Sequence, residues 1–224
     1  MPVKKNIITV STLAGRAGSS LTMGLLQQSG AYVGNVGSAT DDNNPKGYFE
    51  VHDVNVFLYQ KLYPQLTGFM PYPVNKNDTE INKFLTEKNL VEFEDLFFKK
   101  CFPDQHNTLA IKTPFMHTIN LFDIIAKRNN LNVTHVFINR NLEAVMNSAI
   151  KINTEFRTTS QWMSWLQHWQ RVKKQFTYNL EINFNDWFSN PAKTYNKLHA
   201  ACKLPIKLSA EQVNNWINPT YKHW

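Results

Sequence analysis

Apolar residues occur along this chain in short β-branched runs that alternate with longer stretches of helical periodicity. The first run, residues 6–11 (NIITVS), predicts a short buried strand. A small, glycine-bearing segment follows, and residues 21–30 (LTMGLLQQSG) then place leucines at helical spacing. Ser19 or Ser20 would cap this helix, and Gly30 would end it. The chain therefore opens with a predicted strand, a small-residue loop and a helix.

The same alternation continues towards the C-terminus. Further short strands are predicted within residues 31–35, 108–114, 133–139 and 179–184. Helices are predicted within residues 51–62, 80–100, 119–130, 143–152, 161–176 and 191–202. This order predicts an α/β fold of three layers with a doubly wound, mainly parallel sheet, in one domain over residues 1–224. Ligands of such sheets bind at the carboxyl ends of the strands.

One predicted helix carries a tryptophan stripe. Within residues 161–176, Trp162, Trp165 and Trp169 recur at helical spacing and share one face. Such a stripe would suit the stacking of a base or a sugar, but helical spacing of large apolar residues favours core packing. We expect these side chains to be buried.

Composition narrows the class of protein. The chain has 224 residues, of which 42% are hydrophobic and 13% aromatic, so it has enough apolar material for a core and is not a disordered chain. The net charge is +7, and residues 140–224, with eleven cations and five anions, carry +6 of it. A basic segment suits an anionic ligand, although a basic surface that only maintains solubility has the same composition.

The cysteines and the apolar runs bear on location. Cys101 and Cys202 lie far apart and outside any paired-spacing motif, so neither a disulfide framework nor a zinc site is indicated. No run approaches the roughly 18 apolar residues of a spanning helix, and the N-terminus lacks the apolar region of a secretory signal. These features predict a cytoplasmic protein without stable membrane insertion.

The loop after the first predicted strand has the composition of a phosphate site. Residues 15–20 (GRAGSS) combine two glycines, which let backbone N–H groups point into one hollow, with Arg16 and two serine hydroxyls at the start of a helix. Many strand–helix turns carry such residues for tightness alone. A nucleoside-triphosphate P-loop has lysine where this chain has Ser19, so ordinary ATP or GTP hydrolysis is not expected.

A second motif follows the strand predicted at residues 133–139. Arg140 ends that strand, and Ser148 lies eight residues later in the next predicted helix, which suits a second phosphate. Together the two motifs resemble those of the bacterial-type sulfotransferases that use 3′-phosphoadenosine 5′-phosphosulfate (PAPS). In that family the P-loop-like first loop, here residues 16–20 (RAGSS), binds the 5′-phosphosulfate. The Arg and Ser eight apart bind the 3′-phosphate.

Other stretches of residues 5–205 resemble the same family in the same order. Residues 44–50 (NPKGYFE) resemble the loop that carries an acidic residue, and residues 111–114 (IKTP) resemble a strand-end lysine motif. Residues 183–202 resemble the family's late strand and helix. The chain departs from the pattern at three places: it has Ala17 for Ser, Asn141-Leu142 for Asp-Pro and Phe184-Asn185 for Tyr-Glu.

The resemblance implies transfer of a sulfuryl group from PAPS to a hydroxyl or amine acceptor (an EC 2.8.2-type reaction), with the bisphosphate PAP as product and no metal. The implied donor-binding residues are Arg16, Ala17, Gly18, Ser19, Ser20, Arg140 and Ser148. The implied catalytic residues are Glu50 as general base, with His52 as its competitor, and Arg16 and Lys112 as stabilisers of developing charge.

Two other functions fit parts of the sequence. A nucleotide or small-molecule kinase with a degenerate P-loop lacks its expected lysine and a clear magnesium carboxylate. A non-enzymatic polyanion- or nucleic-acid-binding protein would explain the basic segment but not two phosphate motifs in this order. The sulfotransferase prediction implies a small-molecule or carbohydrate acceptor, selected chiefly by residues 52–108, and no nucleic-acid partner. The sequence indicates neither the acceptor nor an oligomeric state.

Overall fold

A parallel sheet forms the centre of the molecule. The computed structural model describes residues 5–13, 17–34, 36, 47, 49–58, 85–102, 105–113, 119–151, 158–176 and 179–217. Within these ranges the sheet has four strands: β1 (Asn6–Thr12), β2 (Thr108–Thr113), β3 (Asn132–Asn139) and β4 (Asn179–Asn183). Their order is β2-β1-β3-β4, and every neighbouring pair is parallel. The predicted parallel sheet is confirmed.

Helices lie between and after the strands. In the described ranges they are α1 (Ser19–Gln28), α2 (His52–Phe57), α3 (Glu87–Leu96), α4 (Ile119–Arg128), α5 (Leu142–Lys151), α6 (Thr159–Lys174), α7 (Asp186–Ser189), α8 (Pro191–Cys202) and α9 (Ala210–Trp216). A π-helical turn, Phe97–Cys101, continues α3. The predicted helix at residues 80–100 is therefore an α-helix and a π-helical turn where the structure describes it.

Alternate residues of β1 face opposite sides of the sheet. Ile8 and Val10 pack into a core with side chains of α1, α8 and α9. Ile7 packs into a second core with side chains of α2, α3 and α4. Because successive strand side chains point to opposite faces, one buried strand serves both cores. Helices cover both faces, which confirms the predicted three-layer α/β architecture.

The tryptophan stripe belongs to the core, as predicted. Trp162, Trp165 and Trp169 on α6 are all buried. Trp165 and Trp169 pack with Phe137 of β3 and with Leu13, just after β1. The indole N–H of Trp165 donates to the carbonyl oxygen of Leu13. Helix α6 thus fixes the point where the chain leaves β1.

Over its described residues, 31–34, the strand predicted at residues 31–35 is reduced to one bridge. Tyr32 pairs with Leu109 at the outer side of β2, through an N–H bond to Thr108 and an accepted bond from Ala110. Gly34 then adopts a left-handed backbone with φ of 78°, a conformation that an extended strand does not contain. A glycine at this point explains why pairing stops.

Helix α9 was not predicted from the sequence, and a glycine of α1 explains how it packs. A Cβ atom added to Gly24 would overlap the indole of Trp216, so the absence of a side chain lets the two helices approach. The Trp216 N–H donates to the carbonyl oxygen of Leu21 at 2.9 Å. The short helix α7 was also missed.

Both cysteines are buried. Burial raises the pKa of the Cys101 and Cys202 thiols to about 12, so neither ionises near neutral pH. In the part of the chain that the structure describes, no helix has both the length and the apolar character needed to cross a membrane.

Candidate functional site

Three neighbouring strands bring the two phosphate motifs and the lysine motif to one edge of the sheet. Lys112 is the penultimate residue of β2, Gly18 follows β1, and Arg140 immediately follows β3. Since β2, β1 and β3 are adjacent and parallel, their carboxyl ends lie side by side. This is the edge at which such sheets bind ligands.

The loop after β1 leads directly into α1. Gly18 is the N-cap residue, with a left-handed φ of 88°, and no side chain caps the helix. The prediction that Ser19 or Ser20 is the cap is wrong, because both are already helical. Ser19 is buried and Ser20 half-buried. Arg16 lies outside the described residues.

Ala17 belongs to the core rather than to the surface of this loop. It is fully buried and packs with Val145 of α5 and Trp162 of α6. A serine here would place a hydroxyl in apolar surroundings. Packing against the two helices therefore accounts for one departure from the sulfotransferase pattern.

Phe184, just after β4, joins the two phosphate motifs. Its ring centroid lies 4.4 Å from Cζ of Arg140, which is a cation–π contact. On the other motif, a Cβ atom added to Gly18 would lie 2.5 Å from Cδ2 of the same ring. Gly18 is thus required both by its backbone conformation and by the close approach of Phe184.

A cavity of about 610 Å³ opens beside Arg140 and Phe184. Small-molecule sites commonly measure about 300–1,000 Å³. The cavity is lined by Asn139, Arg140, Asn141, Ala144, Asn183, Phe184 and Asn185. It therefore combines a cation, an aromatic ring and several amides at the ends of β3 and β4.

Helix α5 begins at this cavity. The side-chain oxygen of Asn141 accepts a hydrogen bond from the Ala144 N–H at 3.2 Å, so the asparagine caps the helix. Ser148 is buried and lies four residues after Ala144, on the same helix face and about 6 Å further along the axis. The structure thus places Ser148 one turn beyond the cavity wall.

A carboxylate near the cavity wall, that of Glu181, forms an ion pair with Lys173. Glu181 of β4 accepts hydrogen bonds from Lys173 and from the Asn139 amide, both at 2.7 Å. Burial alone would raise the pKa of Glu181, but these bonds outweigh it and lower the pKa. Glu181 therefore stays ionised, and its charge is balanced by Lys173.

On the other side of β1, Glu50 and Lys112 form an ion pair. The Lys112 Nζ lies 2.9 Å from Oε1 of Glu50, and the Asn55 amide donates to Oε2 at 3.0 Å. The Lys112 side chain is only 10% exposed. His52, the competing base, is exposed at the start of α2. The structure therefore brings together two site residues that the sequence predicted separately, and adds Asn55.

The backbone before Glu50 is constrained. Phe49 has a φ of 54°, which is uncommon for a residue with a side chain, and its ring is buried. Val51, on the other side of Glu50, forms an antiparallel bridge with Val36. These two anchors fix the direction in which Glu50 leaves the chain.

Two residues of the site were not predicted from the sequence. The sequence marks Phe184 only as a departure from the family pattern, and Asn55 belongs to no recognisable motif. Asn55 lies five residues after Glu50, just over one turn into α2. Among the described residues, no cluster of three His, Cys, Asp or Glu side chains is arranged to hold a metal ion.

No family model and no curated protein sequence matches this chain. A solved sulfotransferase domain, from the olefin synthase of Synechococcus PCC 7002, aligns with a TM-score of 0.51 and 14% identity over 99% of this chain and 84% of that one. A sulfotransferase domain from the curacin biosynthetic pathway aligns with a TM-score of 0.46 and 14% identity over 92% and 76%. A gluconokinase from Sinorhizobium meliloti 1021 aligns with a TM-score of 0.47 and 9% identity over 96% of this chain and 97% of that one. The first similarity shows a shared fold, and the other two, below 0.5, add nothing to it.

The packing of Ala17 predicts the effect of restoring the serine of the family pattern. Ala17→Ser should lower the free energy of unfolding by about 1–3 kcal/mol, because the hydroxyl is buried without a partner. Urea unfolding measures this change. Ala210→Ser, at an exposed position at the start of α9, is the control and should change stability little. Wild-type stability of Ala17→Ser would show that apolar packing does not select the alanine.

Proposed function

We propose that this protein is a sulfotransferase that moves a sulfuryl group from PAPS to a hydroxyl or amine acceptor. The observation that carries the proposal is the position of the two phosphate motifs. Gly18 and Arg140 follow adjacent parallel strands, and the ring of Phe184 contacts both. Two anion sites that follow adjacent strands and meet the same aromatic ring suit one nucleotide with phosphates at both ends of its ribose.

The donor would be held by these two sites. Residues 16–20 take the 5′-phosphosulfate, since the uncapped N-terminus of α1 presents backbone N–H groups and the positive end of the helix dipole. Arg140 and Ser148 take the 3′-phosphate, with the cavity beside Arg140 large enough for part of a nucleotide. The donor supplies the activated sulfuryl group.

Glu50 acts as the base in this proposal. It takes the acceptor's proton while the acceptor bonds to sulfur, and the bond from sulfur to the donor's bridging oxygen breaks with its electron pair on that oxygen. A carboxylate has about four lone-pair sites, so donation by Lys112 and Asn55 still leaves acceptor capacity for the substrate.

The charge of Lys112 is balanced differently before and after Glu50 takes the proton. While Glu50 is ionised, the ammonium group of Lys112 is neutralised by it at 2.9 Å. Once Glu50 is protonated, that positive charge is no longer balanced. Charge develops on the departing oxygen at the same stage, and a fixed cation nearby stabilises it. Arg16 is the second candidate for this role.

The fold is compatible with this chemistry, since a solved sulfotransferase domain shares it. The acceptor is a small molecule or a carbohydrate in this proposal, and a screen with labelled PAPS identifies it. The identity of the nucleotide that the protein binds distinguishes a sulfotransferase from a kinase.

Binding of the product bisphosphate tests the proposal. Adenosine 3′,5′-bisphosphate should raise the melting temperature in the absence of magnesium, because it fills both anion sites. Differential scanning fluorimetry measures the shift, with magnesium-ATP in a parallel series. Stabilisation only by magnesium-ATP would favour the kinase. Salt-sensitive binding to any duplex, without a response to the bisphosphate, would favour the polyanion-binding protein.

Arg140→Ala should weaken binding of adenosine 3′,5′-bisphosphate by about 10- to 150-fold and binding of adenosine 5′-monophosphate little. A hydrogen bond to a charged group is worth about 1.5–3 kcal/mol, and only the first ligand has a 3′-phosphate. Titration calorimetry gives both dissociation constants. Arg171→Ala, an exposed arginine on α6, is the matched control. Equal losses for the two ligands would contradict the 3′-phosphate assignment.

Glu50→Gln should abolish transfer, with a loss of about 10²–10⁴-fold, while bisphosphate affinity stays near wild type. The amide keeps the shape of the side chain but does not take a proton at neutral pH. His52→Ala should reduce turnover modestly at most. Glu143→Gln, on an exposed carboxylate of α5, controls for loss of charge at this edge. If His52→Ala is the inactive variant and Glu50→Gln is active, the base assignment is wrong.

A further inference from the structure

Phe184 is held firmly in place by its backbone. It is the first residue after β4, and its N–H donates to the carbonyl oxygen of Asn139 at 2.7 Å. Its own carbonyl oxygen accepts the N–H of Trp187 in α7 at 3.3 Å. The residue is therefore tied to β3 on one side and to the buried Trp187 of α7 on the other.

The ring of Phe184 is confined as well. It is 4% exposed and belongs to the core on the α1 face of the sheet. The Phe188 ring meets it edge-on, with centroids 5.2 Å apart. Gly18 lies against another side of the ring, so close that a Cβ atom added to this glycine would overlap it. A ring packed in this way has one orientation.

Arg140 rests on this fixed ring. The guanidinium carbon lies 4.4 Å above the centroid, well within the roughly 6 Å of a cation–π contact. Arginine is long and loses much rotamer freedom when it is ordered. A ligand that must first order it binds more weakly than one that meets it already in place.

We propose that Phe184 is a positioning residue: it holds the Arg140 guanidinium at the cavity in the orientation that receives the 3′-phosphate. This inference rests on the proposed function. The chain has phenylalanine where the family pattern has tyrosine, and a phenyl ring suffices for this role because only its face is used.

The inference predicts a selective loss of affinity. Phe184→Leu removes the ring face but keeps an apolar side chain of similar size. It should weaken adenosine 3′,5′-bisphosphate binding by about five- to tenfold, in the range of a partly desolvated cation–π contact, and leave 5′-monophosphate binding within about twofold. Phe184→Tyr, which keeps the ring, should bind both ligands like the wild type. Titration calorimetry measures each constant.

A double-mutant cycle separates positioning from general damage to the fold. In an Arg140→Ala background, Phe184→Leu should cause no further loss of bisphosphate affinity, because the group that the ring positions is gone. A purely structural role would lower the affinity for both ligands and would do so in either background. Phe184→Met provides a second apolar variant if Phe184→Leu does not fold.

The outcomes distinguish this inference from the function on which it rests. If the wild-type protein does not bind the bisphosphate, the proposed function fails and the inference fails with it. If the wild type binds and Phe184→Leu binds equally tightly, only the positioning role is overturned. Additive losses in the double mutant overturn it as well.

Discussion

Parallel pairing of β1 with β2 on one side and β3 on the other is the constraint on which the candidate site depends. Val10 is opposite Lys112 in one pairing, and Thr12 is opposite Ile138 in the other. The carboxyl ends of three strands that are far apart in sequence therefore lie side by side. No single loop builds the site. Shifting one pairing by a residue would turn the side chains at that strand end to the opposite face.

The sequence predicted those elements that are determined by interactions between residues close together in the chain. The period of apolar residues located β1 and α6, and glycine and serine marked the turn before α1. Contacts between distant segments were beyond the sequence. The capping box of Ser209 and Gln212 is a local signal for the start of α9, whereas the packing of Trp216 on Gly24 depends on residues far apart in the chain. The bridge at Tyr32 shows the opposite case, in which a strand-like run is cut short by a turn.

The site follows the same rule. Lys112 and Glu50 were found separately by motif, but their ion pair joins residues 62 positions apart and depends on the sheet. Two of the departures from the family pattern make tertiary contacts, and one acts locally. Ala17 packs against two helices, whereas Asn141 caps the helix that it begins. Phe184 lies between the two phosphate motifs. At Ala17 and Phe184, a substitution that looks like a loss in an aligned motif contacts residues of another element.

The two buried thiols give the layered fold an internal reporter. Cys101 lies in the core on the α4 face of the sheet, and Cys202 lies in the core on the α1 face. They are the only cysteines of the chain. A thiol-reactive reagent reaches a buried sulfur only when the structure around it opens, and then at a rate set by that local opening. Labelling of each sulfur therefore reports the opening of the structure around one core separately from the other, without an introduced cysteine.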